Sequence, residues 1–146
     1  MKRVISRISD ELNINPLRSL IILFFIIYFI AIFFDFYLMI RLTLLSVIGC
    51  TLAFLTNYPL KMLFRTKRPI LDKYQDIEYG FPSFHSQVAF TIATIYSFYF
   101  HALFLPTFIF ATFVGISRLV TKSHNFMDVA FGGILGILTG IVMLIV

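Results

Sequence analysis

The residues between Ser117 and Asp128 are of types that could act on phosphate. This stretch, SRLVTKSHNFMD, places an arginine, a lysine, a histidine and an aspartate between two long apolar runs. Ionisable residues at a membrane boundary are costly to desolvate, so they are functional candidates by default. His124 and Asp128 are four residues apart, so on a helix they share one face, and the carboxylate could orient the imidazole. An oriented histidine facing Arg118 suits phosphate chemistry, which needs a nucleophile and cationic partners.

Two further polar clusters lie at the ends of apolar runs. In the first, KMLFRTKRP at residues 61–69, Lys61, Arg65 and Arg68 follow an i, i+4, i+7 spacing, which is one face if the segment is helical. The second, PSFH at residues 82–85, has the proline and serine of a helix start. A helix N-terminus offers free backbone N–H groups to an anion. Both clusters are therefore candidate phosphate-binding segments.

Five residues in the three clusters are predicted to bind a phosphate group. A phosphoryl group in transfer carries negative charge that needs guanidinium and ammonium partners in a dry site. Lys61, Arg68 and Arg118 would supply that positive charge. Ser83 and the backbone amides near Phe84 would add neutral hydrogen-bond donors.

The two histidines of the clusters suit the nucleophile and the acid that phosphoryl transfer also needs. His124, oriented by Asp128, suits the nucleophile, and His85 suits the acid that protonates the departing oxygen. A metal mechanism is disfavoured, because Asp128 is the one carboxylate of seven that belongs to the clusters. Metal-dependent phosphoryl transfer usually uses several carboxylates.

Composition places these clusters in a membrane protein. Hydrophobic residues make up 60% of the 146 residues and charged residues 13%, against roughly 25% in a typical soluble domain. Apolar runs this long predict an all-α, polytopic transmembrane helical bundle formed by a single domain, residues 1–146. The formal charge of +5 does not indicate nucleic acid, because the cations lie beside apolar runs, where they suit lipid headgroups or topology signals.

The apolar runs predict about five membrane spans. Residues 1–18 alternate charged and apolar positions, which suits a short interfacial helix or a frayed tail. The predicted spans are residues 19–34, 42–60, 83–103, 105–119 and 125–146. The first two could instead form one broken element, and a sixth span remains open. Two crossings lie between the second and third clusters, so the clusters at residues 61–128 can converge on one side of the membrane.

The last predicted span carries a stripe of small residues. Gly132, Gly136 and Gly140 are spaced four apart, so they share a helical face. Such a stripe lets a neighbouring helix approach closely. We therefore expect these glycines to serve packing and not chemistry.

The three clusters together resemble the signature of the type 2 phosphatidic acid phosphatase superfamily, which includes membrane lipid phosphatases and the vanadium haloperoxidases. Its pattern is Lys-x6-Arg-Pro, then Pro-Ser-Gly-His, then Ser-Arg-x5-His-x3-Asp. The matching residues are Lys61, Arg68, Pro69, Pro82, Ser83, His85, Ser117, Arg118, His124 and Asp128. Phe84 stands where the family has glycine. Because phenylalanine strongly disfavours a positive φ angle, we expect an ordinary helix-start conformation there.

The resemblance implies metal-independent dephosphorylation through a phosphohistidine at His124, with His85 as acid and no cofactor. It also implies a lipid substrate, phosphatidate-like, phosphatidylglycerophosphate-like or a polyprenyl diphosphate, and a multi-pass protein of the cell membrane. The apolar spans disfavour the soluble haloperoxidase branch. Two alternatives stay open from the residues alone. One is a phosphotransferase with a non-water acceptor, and the other is a lipid-binding scaffold or channel that would not need Asp128 beside His124.

Overall fold

The helices of the chain follow the apolar runs of the sequence. In a computed structural model, residues 22, 25, 26, 28, 29, 36–69 and 79–145 are described. Within them we number four α-helices: α1 (Phe36–Phe64), α2 (Phe84–Tyr99), α3 (Phe104–Val120) and α4 (Phe126–Ile145), with a 3₁₀ turn at His101–Leu103 before α3. The five described residues of the first predicted span are helical, whereas the predicted interfacial segment 1–18 lies outside the described residues.

Three helical segments of the described chain are long and apolar enough to cross a membrane. They are Phe36–Phe64, His101–Val120 and Phe126–Ile145. α2, with 16 residues, is about 24 Å long at 1.5 Å per residue and falls short of a full bilayer core. The predicted all-helical bundle is therefore confirmed for the described residues, and the count of five or six spans remains a prediction.

α1 is longer than the predicted span at residues 42–60. It begins at Phe36, includes Pro59 and continues to Phe64. Asn57 and Lys61 remain helical and buried because their side chains find partners on the segment that leads into α2. The buried residues of α1 recur every three or four positions and form one stripe: Met39, Leu42, Ser46, Gly49, Ala53, Asn57 and Lys61.

α2 is the central helix of the described bundle. It packs against α1, α3 and, most extensively, α4. More than half of its residues are buried, and many of those are small or polar. The outward faces of the other helices carry large exposed apolar residues such as Ile40, Phe113 and Leu138. Polar groups therefore point inward and apolar groups outward, as a lipid environment requires.

The glycine stripe of α4 allows close packing against α2, as the sequence predicted for a neighbouring helix. A Cβ at Gly132 would collide with the Ser83 carbonyl, and one at Gly136 would collide with the Gln87 carbonyl. At Gly140 the same atom would lie 2.6 Å from Thr94 Cβ. The absence of side chains at these positions thus sets how closely α4 approaches α2.

Candidate active site

Lys61 ties the last turn of α1 to the segment that precedes α2. Its side chain is buried, and Nζ donates to the carbonyls of Tyr79 (3.3 Å), Gly80 (3.1 Å) and Pro82 (2.7 Å). An ammonium group has three N–H donors, so these contacts use all of them. Lys61 therefore shapes residues 79–82 as well as placing a positive charge beside them.

Arg68 approaches the same segment from the loop that follows α1. Its Nε donates to the Tyr79 carbonyl at 3.3 Å. A Cβ at Gly80 would lie 2.9 Å from Asp128 Oδ2 and 3.4 Å from Arg68 Cγ, so glycine is what fits between them. Gly80 thus allows Arg68 of the first cluster and Asp128 of the third cluster to pack against the same backbone position.

Ser83 is the N-cap residue that precedes α2, and it contacts the third cluster through its backbone. Its N–H donates to the Asp128 carbonyl at 2.8 Å, and its own carbonyl accepts the N–H of Gln87 at 3.1 Å. The Ser83 hydroxyl does not cap the helix; it accepts a hydrogen bond from Ser86 Oγ at 3.2 Å. The first amides of α2 have no partner within the helix, so they remain donors for an anion.

Phe84 adopts the backbone conformation expected for it. It is the first residue of α2, and the non-glycine residues with positive φ in the described chain are Arg65 and Lys122. The Phe84 ring packs edge-on near Phe54, with centroids 6.1 Å apart and an interplanar angle of 82°. Since Phe54 is 52% exposed on the outside of the bundle, the Phe84 ring faces the apolar surroundings of the protein.

His124 and Asp128 meet across the start of α4. His124 Nδ1 lies 3.5 Å from Asp128 Oδ2, which is longer than a hydrogen bond. The same oxygen accepts the Asn125 N–H at 2.9 Å, a contact that caps the helix. His124 precedes Phe126, where α4 begins, so the pair does not share a helical face in the way the spacing suggested.

A tight turn returns the chain from Arg118 to His124. The His124 N–H donates to the Arg118 carbonyl at 3.2 Å, and Ser123 Oγ contacts the same carbonyl at 3.4 Å. Lys122, with φ of 54°, provides the change of direction. Both Arg118 and His124 are buried, at 3% exposure each. The turn therefore brings the backbone of His124 back to that of Arg118.

The cations around His124 keep its imidazole neutral. Burial lowers the pKa of His124 to about 2, and the charges of Arg68 and Lys61 add to that lowering, followed by smaller effects of His85 and Arg118. A neutral imidazole retains a lone pair for attack on an electrophile. Its position among positive charges also suits an incoming phosphate.

Comparison with known proteins agrees with this geometry. A model of the PAP2 superfamily matches residues 42–146, which is most of the chain. The chain belongs to the PAP2 superfamily. Its fold is similar to the crystal structure of Aquifex aeolicus LpxE, with a TM-score of 0.60 and 28% identity over 84% of this chain and 76% of that one. The search of curated proteins gave no match.

Membership of this superfamily establishes the class of the protein. The chain is a lipid phosphate hydrolase, and its substrate is a membrane lipid. Its long apolar helices agree with a membrane protein.

Three buried polar residues beside the site were not predicted from the sequence. Asn57 and Gln87 are hydrogen-bonded to each other at 2.8 Å, and Ser86 donates to Ser83. All three are at most 1% exposed. One signal in the sequence could have indicated the Asn57–Gln87 pair: an Asn and a Gln lie within predicted membrane spans. Because buried amides need hydrogen-bond partners, the two side chains are candidates to bond to each other.

Proposed function

We propose that the chain is a metal-independent phosphatase that hydrolyses a lipid phosphate or diphosphate through a phosphohistidine at His124. The observation that carries the proposal is a buried, neutral His124 whose Nδ1 faces Asp128, with Arg68 and Lys61 near enough to act on its charge. With Nδ1 turned toward the carboxylate, Nε2 is the nitrogen left for attack on phosphorus.

In the first step, His124 Nε2 forms a bond to phosphorus while the bond between phosphorus and the lipid oxygen breaks. His85 gives a proton to that departing oxygen. Burial and the charges of Arg118, Arg68 and Lys61 disfavour a protonated His85, and the negative charge of the bound phosphate offsets those cations. Arg68, Arg118 and Lys61 stabilise the charge that spreads over the phosphoryl oxygens, together with the first amides of α2 at Phe84.

In the second step, a water molecule attacks the phosphohistidine. His85, now neutral, takes a proton from the water as the new P–O bond forms and the P–N bond breaks. Inorganic phosphate leaves, His124 returns to its neutral form, and His85 is protonated again. Asp128 keeps the same ring nitrogen of His124 oriented through both steps.

The substrate we propose is phosphatidate-like, phosphatidylglycerophosphate-like or a polyprenyl diphosphate in the cell membrane. The likeness to Aquifex aeolicus LpxE and the superfamily match support a lipid substrate. The exposed apolar faces of the helices support access from the bilayer. The superfamily match also favours a hydrolase over a scaffold or channel.

The test is phosphate release by the purified protein from a panel of these lipids in excess chelator. We expect turnover of at least one lipid, complete loss of it in His124→Ala, and wild-type turnover in His101→Ala. His101 is a matched control, because it is an exposed histidine in the turn that follows α2. Turnover that requires an added divalent metal, or that survives in His124→Ala, would contradict the proposal. Transfer of phosphate to an added lipid alcohol without free phosphate would identify a phosphotransferase instead.

A further inference from the structure

Asn57 reaches the same backbone carbonyl as Lys61. It lies one helical turn before Lys61 on α1 and is 1% exposed. Its Nδ2 lies 3.3 Å from the Pro82 carbonyl, which also accepts Lys61 Nζ at 2.7 Å. A carbonyl oxygen has two lone pairs, so Pro82 receives one donor for each. Because that carbonyl can only accept, the group of Asn57 that faces it must be the amide nitrogen.

Gln87 holds the Asn57 amide in this orientation. Asn57 Nδ2 also donates to Gln87 Oε1 at 2.8 Å, and Gln87 Nε2 donates to Thr56 Oγ1 at 2.9 Å. The Thr56 hydroxyl in turn donates to the Leu52 carbonyl at 2.9 Å. Each amide therefore has its oxygen and nitrogen assigned by a neighbour, and the Asn57 donor is fixed toward Pro82.

Lys61 cannot bind a phosphate without giving up one of its present acceptors. Its three N–H donors are directed at the carbonyls of Tyr79, Gly80 and Pro82. If Lys61 released Pro82 and nothing else reached that carbonyl, a buried acceptor would lose its partner, which is costly. Asn57 is the second donor that keeps the Pro82 carbonyl paired during such an exchange.

We propose that Asn57, oriented by Gln87, is a positioning residue that holds the Pro82 carbonyl while Lys61 turns an N–H toward the substrate phosphate. Holding Pro82 also fixes Ser83 and the first amides of α2, which follow it directly in the chain. The inference rests on the proposed function, because it assigns Lys61 to the phosphate. It predicts that Asn57 contributes to turnover without touching the substrate.

The test compares four variants for kcat/KM, for the inhibition constant of inorganic phosphate and for thermal unfolding in detergent. They are Asn57→Leu, Gln87→Leu, the double variant with both changes, and Thr94→Val. Thr94 is the control, because its buried hydroxyl on α2 donates to the Phe90 carbonyl of its own helix. We expect wild-type kcat/KM in Thr94→Val.

Asn57→Leu should lower kcat/KM by about 100-fold, the size expected when a catalytic group is misplaced by about 1 Å. It should weaken inhibition by inorganic phosphate to a similar extent and lower the unfolding temperature. The double variant should regain the unfolding temperature, since replacing both hydrogen-bond partners by apolar groups is close to neutral. It should not regain kcat/KM or phosphate affinity.

Two results would overturn the inference. One is wild-type kcat/KM in Asn57→Leu, and the other is recovery of kcat/KM together with stability in the double variant, which would mean a structural role only.

If the double variant does not fold, Asn57→Asp replaces it, because it keeps the shape and loses the donor. A folded Asn57→Asp with wild-type kcat/KM would overturn the inference, and a loss near 100-fold would support it. A wild-type protein inactive on every lipid phosphate would instead reject the proposed function.

Discussion

The N-terminal end of α2 is held by hydrogen bonds from other parts of the chain. The Ser83 N–H donates to the Asp128 carbonyl, which joins α2 to α4. Gln87 accepts from Asn57, which joins α2 to α1. These bonds link residues that are 30 or more positions apart in the sequence. The end of α2 that carries the candidate site is therefore positioned by directional contacts.

The C-terminal end of the same helix is held mainly by apolar packing. The hydroxyls of Thr94 and Ser97 donate to carbonyls of their own helix, at Phe90 and Thr94. A buried apolar cluster packs α2 against α1 and α4 at this end: Leu42, Ile95, Tyr96 and Met143. Polar residues occur at both ends, but here the Thr94 and Ser97 hydroxyls bond to α2 itself.

The two ends of α2 contribute differently to position and to stability. Hydrogen bonds depend on angle and distance, so a network between helices fixes where groups lie. Apolar burial is non-directional and contributes mainly free energy of folding. Substitutions at the N-terminal end of α2 should therefore change turnover, and substitutions at the C-terminal end should change stability.

Asp128→Asn should have the largest effect on turnover among the variants that keep both histidines of the site. An asparagine retains an oxygen that can accept the Asn125 N–H, so the cap on α4 and the fold should survive. The amide cannot stabilise a charged imidazole, so we expect kcat to fall by about 10³–10⁴-fold. Steady-state kinetics on the purified variant, with an unfolding curve as control, measures this. A loss below tenfold would show that Asp128 serves the helix cap and not His124.

Alanine at two glycines of α4 compares the two ends directly. Gly132→Ala would push against the Ser83 carbonyl, so we expect about 100-fold lower kcat/KM from displacement of the start of α2. Gly140→Ala would press on Thr94 and should cost about 1–3 kcal/mol of unfolding free energy by overpacking, with kcat/KM near wild type. Equal losses of activity in both folded variants would contradict a functional difference between the ends.

The helix start after Ser83 and the helical bundle could be predicted from the sequence, because they depend on local spacing and on the length of the apolar runs. The turn between Arg118 and His124 is also a local feature, since the two residues are six positions apart. The continuation of α1 through Pro59 could not be predicted, because Lys61 is buried against carbonyls some 20 residues later in the chain. The hydrogen bond between Asn57 and Gln87 could not be predicted for the same reason. The sequence does not show which residues of two helices will be in contact.

Acid should destabilise the protein through His124. Its pKa is lowered from about 6.5 to about 2 on folding, so the stability that this group contributes is present above pH 6.5 and is lost as the pH falls below it. From pH 7 to pH 5 the loss should be about 2 kcal/mol, at 1.36 kcal/mol per pH unit below the unfolded pKa. Unfolding free energies of wild type and His124→Gln at both pH values measure it. Equal pH dependence in the two proteins would contradict a buried neutral His124.

Phe84→Gly should have little effect on turnover. The Phe84 ring packs edge-on near Phe54, which is exposed on the outside of the bundle, and its centroid lies 6.4 Å from that of the His85 ring. Loss of ring burial should cost about 1–3 kcal/mol of unfolding free energy, or change the preference between long-chain and short-chain lipids. Assays on one lipid of each kind, with His85→Ala as the inactive reference, measure both effects. If folded Phe84→Gly is as inactive as His85→Ala on both lipids, the ring has a role in catalysis.

We propose that His124 carries the phosphoryl group during turnover. The test is to mix the protein with a lipid phosphate labelled on its phosphorus, to stop the reaction within one turnover and to locate the label on the chain. We expect an acid-labile label on His124 in the wild type and in His101→Ala, and no label in His124→Ala. A label on another residue, or phosphate release within the first turnover without a label on the chain, would contradict this proposal.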